Sequence, residues 1–326
     1  MRRLVIAAFA VLSTGSLFAG DIITGTGPGS SASHLKVFDS TGTLKASLLP
    51  FGSSYTGGIT VSSGSSIFTV PGSRNIIVGA TSSVGGHVKV LDATTFAEIH
   101  SFLAFPGFNG SISVAGGNID SGPFYNGDII VGAGPGAPGG HVKVFKGDTG
   151  AEIRSFLAFP GFNGGVSVGN GVFGGGNHSD IIVGAGPGGP GGHVKCFDGA
   201  TLAEIKSFQA FPGFNGGVSV AGGRVTNSFF TEIVVGAGPG GQDGHVKVFD
   251  GTTLAEIRSF KAFPGYNGGV RVATAQIDGD VFADIIVGTI VGGHVKVFSG
   301  ATGAEIRSFF PYPGFNGGVS VGGRFP

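Results

Sequence analysis

The chain has 326 residues, and its 19 Lys+Arg balance 19 Asp+Glu, leaving no net charge. That balance argues against nucleic acid and anionic membrane surfaces as partners, because both reward a basic excess. The single cysteine, Cys196, excludes an internal disulfide, so packing and strand pairing must hold the fold.

Read from the N-terminus, Arg2 and Arg3 precede an apolar run from Leu4 to Leu12 and a small-residue exit from Ser13 to Ala19. This is the pattern of a secretory signal spanning 1–19, cleaved after Ala19. The run is too short to cross a bilayer as a helix, and no later apolar stretch is long enough. Residues 20–326 are therefore expected to be exported, either secreted or kept at the cell envelope, with no membrane span after signal removal.

Beyond the leader the composition looks unpromising, since Gly (67) and Pro (16) make up about a quarter of the chain. The glycines, however, recur at fixed offsets between strongly apolar runs. The His of an HxK element stands at 34, 87, 141, 193, 245 and 294, with spacings of 53, 54, 52, 52 and 49 residues. A period near fifty is the size of a four-stranded propeller blade and too long for a leucine-rich repeat or a β-helix coil. Each unit offers four strands in order: GGVSV (Gly164–Val168), DIIVGAG (Asp180–Gly186), HVKVF (His141–Phe145) and AEIRSFLAF (Ala151–Phe159). All are rich in Val, Ile and Phe and bounded by Gly, Pro, Asn or Asp. No stretch has helical periodicity of useful length. Apolar residues at both parities predict sheets buried on two faces, as stacked blades require.

The chain ends give an independent check. The mature chain starts at Asp21 in a second strand and ends with GGVSVGGRFP (Gly317–Pro326), a first strand that never continues. Joining the two completes one blade. The fold class is thus all-β: a six-bladed β-propeller of four-stranded antiparallel blades, closed by pairing of N- and C-terminal strands. Closure removes the exposed strand edge that an open solenoid would leave uncapped.

The DIIVGAGPGG segments, each following a turn-rich stretch, resemble the FG-GAP repeats of the integrin α-subunit propeller and the related VCBS-type repeats of bacterial secreted proteins. The likeness covers nearly all of 20–326. It implies a calcium loop of pattern D-x-[DN]-x-D-G-x-x-D just before this strand, here mostly eroded. The sixth unit, Gln276–Asp284, keeps Asp278, Asp280 and Asp284 but has Gln at the first position and Val281 where the sharp-turn Gly belongs. The third has Asn118, Asp120 and Asp128, and the fourth has Asn170, Asn177 and Asp180. The fifth (Gly223–Glu232) and second (Ser63–Asn75) retain almost no donors. Ca²⁺ needs six to eight oxygens, so the resemblance implies at most one weak Ca²⁺ site, at Asp278, Asp280 and Asp284; an acidic turn with Asp284 bound to backbone amides is the other reading.

Other patterns weigh against catalysis. Gly165–Gly169 and Gly318–Gly322 fit G-x-S-x-G, but each Ser lies within a repeated strand with no helix after it. Gly184–Gly189 fits G-x-G-x-x-G, yet its prolines lead into a strand that offers no helix N-terminus for a pyrophosphate. The six Lys at 36, 89, 143, 195, 247 and 296 form either a cation ring for anionic ligands or partners of Glu98, Glu152, Glu204, Glu256 and Glu305, with Leu44 breaking the match. His178 beside Asp180 reads as an incidental turn histidine.

In a four-stranded meander the second-to-third and fourth-to-first loops emerge on one face. That face carries Tyr55, Phe108, Phe162, Phe214, Tyr266 and Phe315, followed in five units by Asn109, Asn163, Asn215, Asn267 and Asn316. A ring beside an amide suits a sugar or peptide; alternatively the ring plugs the blade junction and the Asn caps its turn. The sequence favours a non-catalytic, monomeric binding or adhesion module for an extracellular glycan or protein. A polysaccharide lyase or hydrolase on the same scaffold, or a structural surface protein, are the alternatives.

Overall fold

The computed structural model describes residues 19–64, 75–82, 85–120, 127–174 and 178–325. The expected leader through residue 18 lies outside them, as do Asn177 and most of the second unit's turn. Twenty-four strands form six four-stranded antiparallel sheets. In blade 4 the strands run Val166–Gly171, Asp180–Ala185, His193–Phe197 and Glu204–Gln209, and each pairs with the next in sequence. Blades 2, 3, 5 and 6 repeat this pattern. Blade 1 is composite: Val319–Arg324 is its innermost strand and pairs with Asp21–Thr26 from Asp21↔Arg324 to Thr26↔Val319. The molecule is a six-bladed β-propeller.

Six hydrophobic clusters each bridge one pair of adjacent blades. Between blades 3 and 4, for example, Ile130, Val142 and Val144 meet Val166, Val168, Ile181 and Val183. The glycine of the IIVGA strand makes this approach possible. A Cβ on Gly132, Gly184 or Gly236 would lie 2.8 Å from Val168, Val220 or Val272 of the next blade. The repeat keeps glycine here because the neighbouring blade's innermost strand occupies the volume of a side chain.

A second set of contacts closes the ring. One position of each innermost strand bonds the backbone of an adjacent blade's innermost strand. Thr60 Oγ1 donates to Ile112 O (3.0 Å) and Ser167 Oγ donates to Val218 O (2.8 Å). Ser113, Ser219 and Ser320 Oγ accept from Val168, Val272 and Val61 N, each at 3.1 Å. Arg271 completes the set through a longer contact to Val319 O, 3.4 Å. The serines of both G-x-S-x-G matches are thus ring fasteners.

Burial on both faces holds for the inner three strands but not for the fourth. The strand Glu204–Gln209 alternates between exposed and half-buried, and Ile205 is exposed. It has a blade partner on one edge only, and its outward side chains meet solvent.

Candidate functional site

The two loop sets share one face. Gly136, Gly188, Gly240 and Gly292, all in second-to-third loops, donate their N–H to the carbonyls of Asn163, Asn215, Asn267 and Asn316 in the fourth-to-first loops. Both halves of the sequence proposal for the aromatic–Asn pairs have a clear location. Phe108, Phe162, Phe214, Tyr266, Phe315 and Tyr55 are half-buried, each lying over its own turn. A Cβ on Gly164 would meet Phe162 Cζ at 2.3 Å, and one on Gly216 would meet Phe214 Cζ at 2.3 Å. The tyrosines add polar anchors, with Val291 N donating to Tyr266 Oη at 2.9 Å and Ser82 N to Tyr55 Oη at 3.1 Å. The rings are therefore braced against the scaffold with one side left to solvent.

The asparagines behave differently. The backbone carbonyls of Asn163, Asn215, Asn267 and Asn316 take the bonds between the two loop sets, so their amide groups are not needed for them. Asn109, Asn163, Asn215 and Asn316 are exposed, and among the described residues their side chains have no hydrogen-bond partner. Only Asn267 is engaged, accepting from Asp243 N at 3.2 Å. The face therefore presents repeated amides, each able to donate and accept, beside fixed aromatic edges.

The cation ring is consumed by the fold. Lys89, Lys143, Lys195, Lys247 and Lys296 pair with Glu98, Glu152, Glu204, Glu256 and Glu305 at 2.6–2.8 Å. Each also lies over a ring of the neighbouring blade, as Lys195 does over Phe159 at 5.2 Å. Lys36, in the unit where Leu44 stands in place of the Glu, donates instead to Pro311 O and lies over Tyr312. The repeated histidines bond a serine on the adjacent strand, as His193 Nε2 does with Ser207 Oγ at 2.8 Å. Burial, then the nearby lysine, holds these imidazoles below their ordinary pKa. Desolvation raises the pKa of the buried Cys196 thiol, which disfavours the thiolate.

Asp278, Asp280 and Asp284 do come together, with one oxygen of each inside a 4.8 Å cluster. Asp284 is fully committed to the backbone, however. Its Oδ2 accepts from Ile277 and Asp278 N, and its Oδ1 from Gly300 N. Asp278 and Asp280 each accept from one turn amide, and their two carboxyls also meet each other. Burial raises the Asp284 and Asp280 pKa values despite these bonds. The donor set fits Ca²⁺ in part: three carboxylates are present, and water would have to supply the rest of its shell. In the third unit Asp120 is instead paired with Lys146, and Asp128 accepts from Ile119 and Asp120 N.

No family model matches the chain, and no curated protein does. Solved structures do. A Bacteroides caccae protein of unknown function aligns over 94% of this chain and 98% of its own, at 10% identity and a TM-score of 0.58. The Cps50 (Swd1) β-propeller domain of Myceliophteria thermophila aligns over 90% of this chain and 84% of its own, at 12% identity and a TM-score of 0.50. At these identities the likeness establishes the propeller fold. No family match supports the FG-GAP reading of the repeats.

Two features were missed by sequence reasoning. Arg271 occupies a position held by Ser or Thr in the other five innermost strands, and no carboxylate pairs with it among the described residues. His178 is not incidental: its Nε2 lies 3.2 Å from Asp198 Oδ2 and 3.8 Å from Asp180 Oδ1. Asp198 is twenty residues along, across two strands and the loop between them, so only the pairing of the second and third strands brings it there. No helix among the described residues is long and apolar enough to cross a membrane.

Proposed function

We propose that this propeller is an exported, non-catalytic binding module that recognises a glycan or protein through the face bearing the Phe/Tyr–Asn turns. The observation that carries the reading is the set of exposed amides at Asn109, Asn163, Asn215 and Asn316, spared from turn capping and placed beside braced aromatic rings. A scaffold built for rigidity alone has no use for an unpaired amide at the same position of four blades. Its repetition suits a repetitive or multivalent ligand, for which weak contacts at several blades add up. Export rests on the leader pattern at 1–19, and adhesion on the FG-GAP resemblance.

A glycan array, with immobilised extracellular proteins as a parallel arm, tests the proposal using wild type and the quadruple variant N109A/N163A/N215A/N316A. Retention of a ligand by wild type and its loss in a variant with unchanged melting supports it. Equal binding by both, or no ligand in either arm, rejects this face as the site. Activity on polysaccharides that survives in the quadruple variant would instead favour an enzyme.

A weak Ca²⁺ site at Asp278, Asp280 and Asp284 forms the second part of the proposal, supported by the convergence of three carboxylates before a blade strand. Asp284→Ala is a poor probe, because it strips three amides of their acceptor whether or not a metal binds. The double variant D278N/D280N keeps those bonds. A Ca²⁺-dependent rise in melting temperature that the double variant abolishes supports the site, and no rise in wild type rejects it.

A further inference from the structure

We infer that blade 4 carries a binding site for a divalent transition-metal ion, Zn²⁺ in the first instance, formed by His178, Asp180 and Asp198. Nitrogen from an imidazole with two carboxylate oxygens is a ligand set for zinc and its neighbours and is poorly suited to Ca²⁺, which takes oxygen alone.

The geometry supports this in three ways. The side chains are already collected, with His178 Nε2 at 3.2 Å from Asp198 Oδ2 and 3.8 Å from Asp180 Oδ1, and all three ligand atoms within 4.8 Å of one another. Metal–ligand bonds of about 2.0–2.2 Å in a tetrahedron place neighbouring ligand atoms about 3.3–3.6 Å apart, so small side-chain adjustments suffice. The carboxylates are also held in place. Asp180 Oδ2 accepts from Phe173 N (2.8 Å) and its Oδ1 from Gly199 N (3.3 Å). Asp198 Oδ1 accepts from Thr201 N and Oγ1, leaving Oδ2 turned to the histidine. Such outer bonds are what orient metal ligands. The cluster also opens onto a cavity of about 340 Å³ whose walls include Phe173, Gly174, Ile205 and Lys206. Three protein ligands beside an open cavity leave a coordination position for water or an incoming ligand.

The repeat supplies an internal comparison. At the three corresponding positions blade 5 has Phe230, Glu232 and Asp250, and blade 6 has Phe282, Asp284 and Ser299. The acid at the strand start belongs to the common structural plan, while the imidazole is confined to blade 4. The blades also provide substitutions already compatible with the fold: His178→Phe from blades 5 and 6, and Asp198→Ser from blade 6.

The test uses the untagged full chain, stripped with a chelator and titrated with ZnCl₂ by calorimetry, with CoCl₂ absorption as a second readout of the ligand field. Wild type is expected to bind one equivalent with His178 among the ligands. H178F and D198S are expected to bind at least about 100-fold more weakly, exceeding the loss seen when only a supporting partner of a ligand is removed, while melting like wild type in the absence of metal. D278N/D280N should bind Zn²⁺ unchanged. Absence of stoichiometric binding by wild type would overturn the inference, leaving the cluster as a hydrogen-bonded His178–Asp198 pair. So would unaltered affinity in H178F.

Discussion

Substituting Gly184 by alanine tests whether close blade stacking depends on a missing side chain. The added Cβ would stand 2.8 Å from Ser167 Oγ, 2.8 Å from Val220 Cγ1 and 2.9 Å from Val218 Cγ2, where ordinary contact begins at 3.4 Å. Roughly half an ångström must open on three sides at once. The two valines are core residues of blade 5, and Ser167 is fixed by its bond to Val218 O. Overpacking of this kind costs about 1–3 kcal/mol. The loss of unfolded-chain entropy returns about 0.4–1 kcal/mol. The net destabilisation is about 1–2 kcal/mol, or about 2–6 °C in melting temperature for a domain of this size. Differential scanning calorimetry or a urea melt measures it directly. Gly174→Ala is the matched control, because nothing lies within 4 Å of its added Cβ. Should Gly184→Ala melt at or above the wild-type temperature, the blades are not stacked as tightly as these distances state, and the role assigned to the IIVGA glycine is wrong.

Glu204→Ala removes the partner of Lys195, whose side chain is 17% exposed against 42% for the glutamate. Its exposure limits the expected loss to about 1 kcal/mol or less, to be read in a denaturant melt at low and high salt; an unchanged midpoint at low salt rejects a stabilising pair. Acidification should weaken the fold through the HxK histidines. Their pKa values are depressed below the ordinary 6.5, chiefly by burial and then by lysine. The fold therefore favours neutral imidazole, and its full contribution above pH 6.5 is lost as pH falls through the native values. Asp128, raised by burial to about 6, acts in the opposite sense, so the histidines must be followed one by one by NMR. Native midpoints at or above 6.5 would reverse the sign.

The architecture was legible because every blade solves the same problem with the same residues. The fifty-residue spacing gave the number of blades, and the split unit at the two ends gave the closure later seen in the Asp21↔Arg324 register. The Lys–Glu pairs were legible for a similar reason: a missing Glu at Leu44 coincides with a Lys36 that bonds elsewhere. Features belonging to one blade were hard to read. His178 and Asp198 are separated by two whole strands, and nothing local marks them as neighbours. Arg271 falls where an alternating strand permits any polar residue, and only the ring of Ser and Thr contacts shows it to be exceptional. The asparagines were ambiguous because a turn can be capped by side chain or backbone, and only coordinates distinguish the two.

The seam in blade 1 has a kinetic consequence. Five sheets are assembled from contiguous stretches of chain, whereas the remaining one must join segments some 300 residues apart in sequence. Bringing such distant segments together is entropically costly and slow, so this pairing is expected to be the last step to native structure. Until it occurs, the strand Asp21–Thr26 presents a bare apolar edge that invites association with other unfinished chains. Relocating the termini to the loop between blades 1 and 2, with a short linker across the present ends, turns the seam into a local hairpin. The rearranged chain should refold faster and aggregate less at unchanged contacts, as stopped-flow fluorescence and light scattering would show.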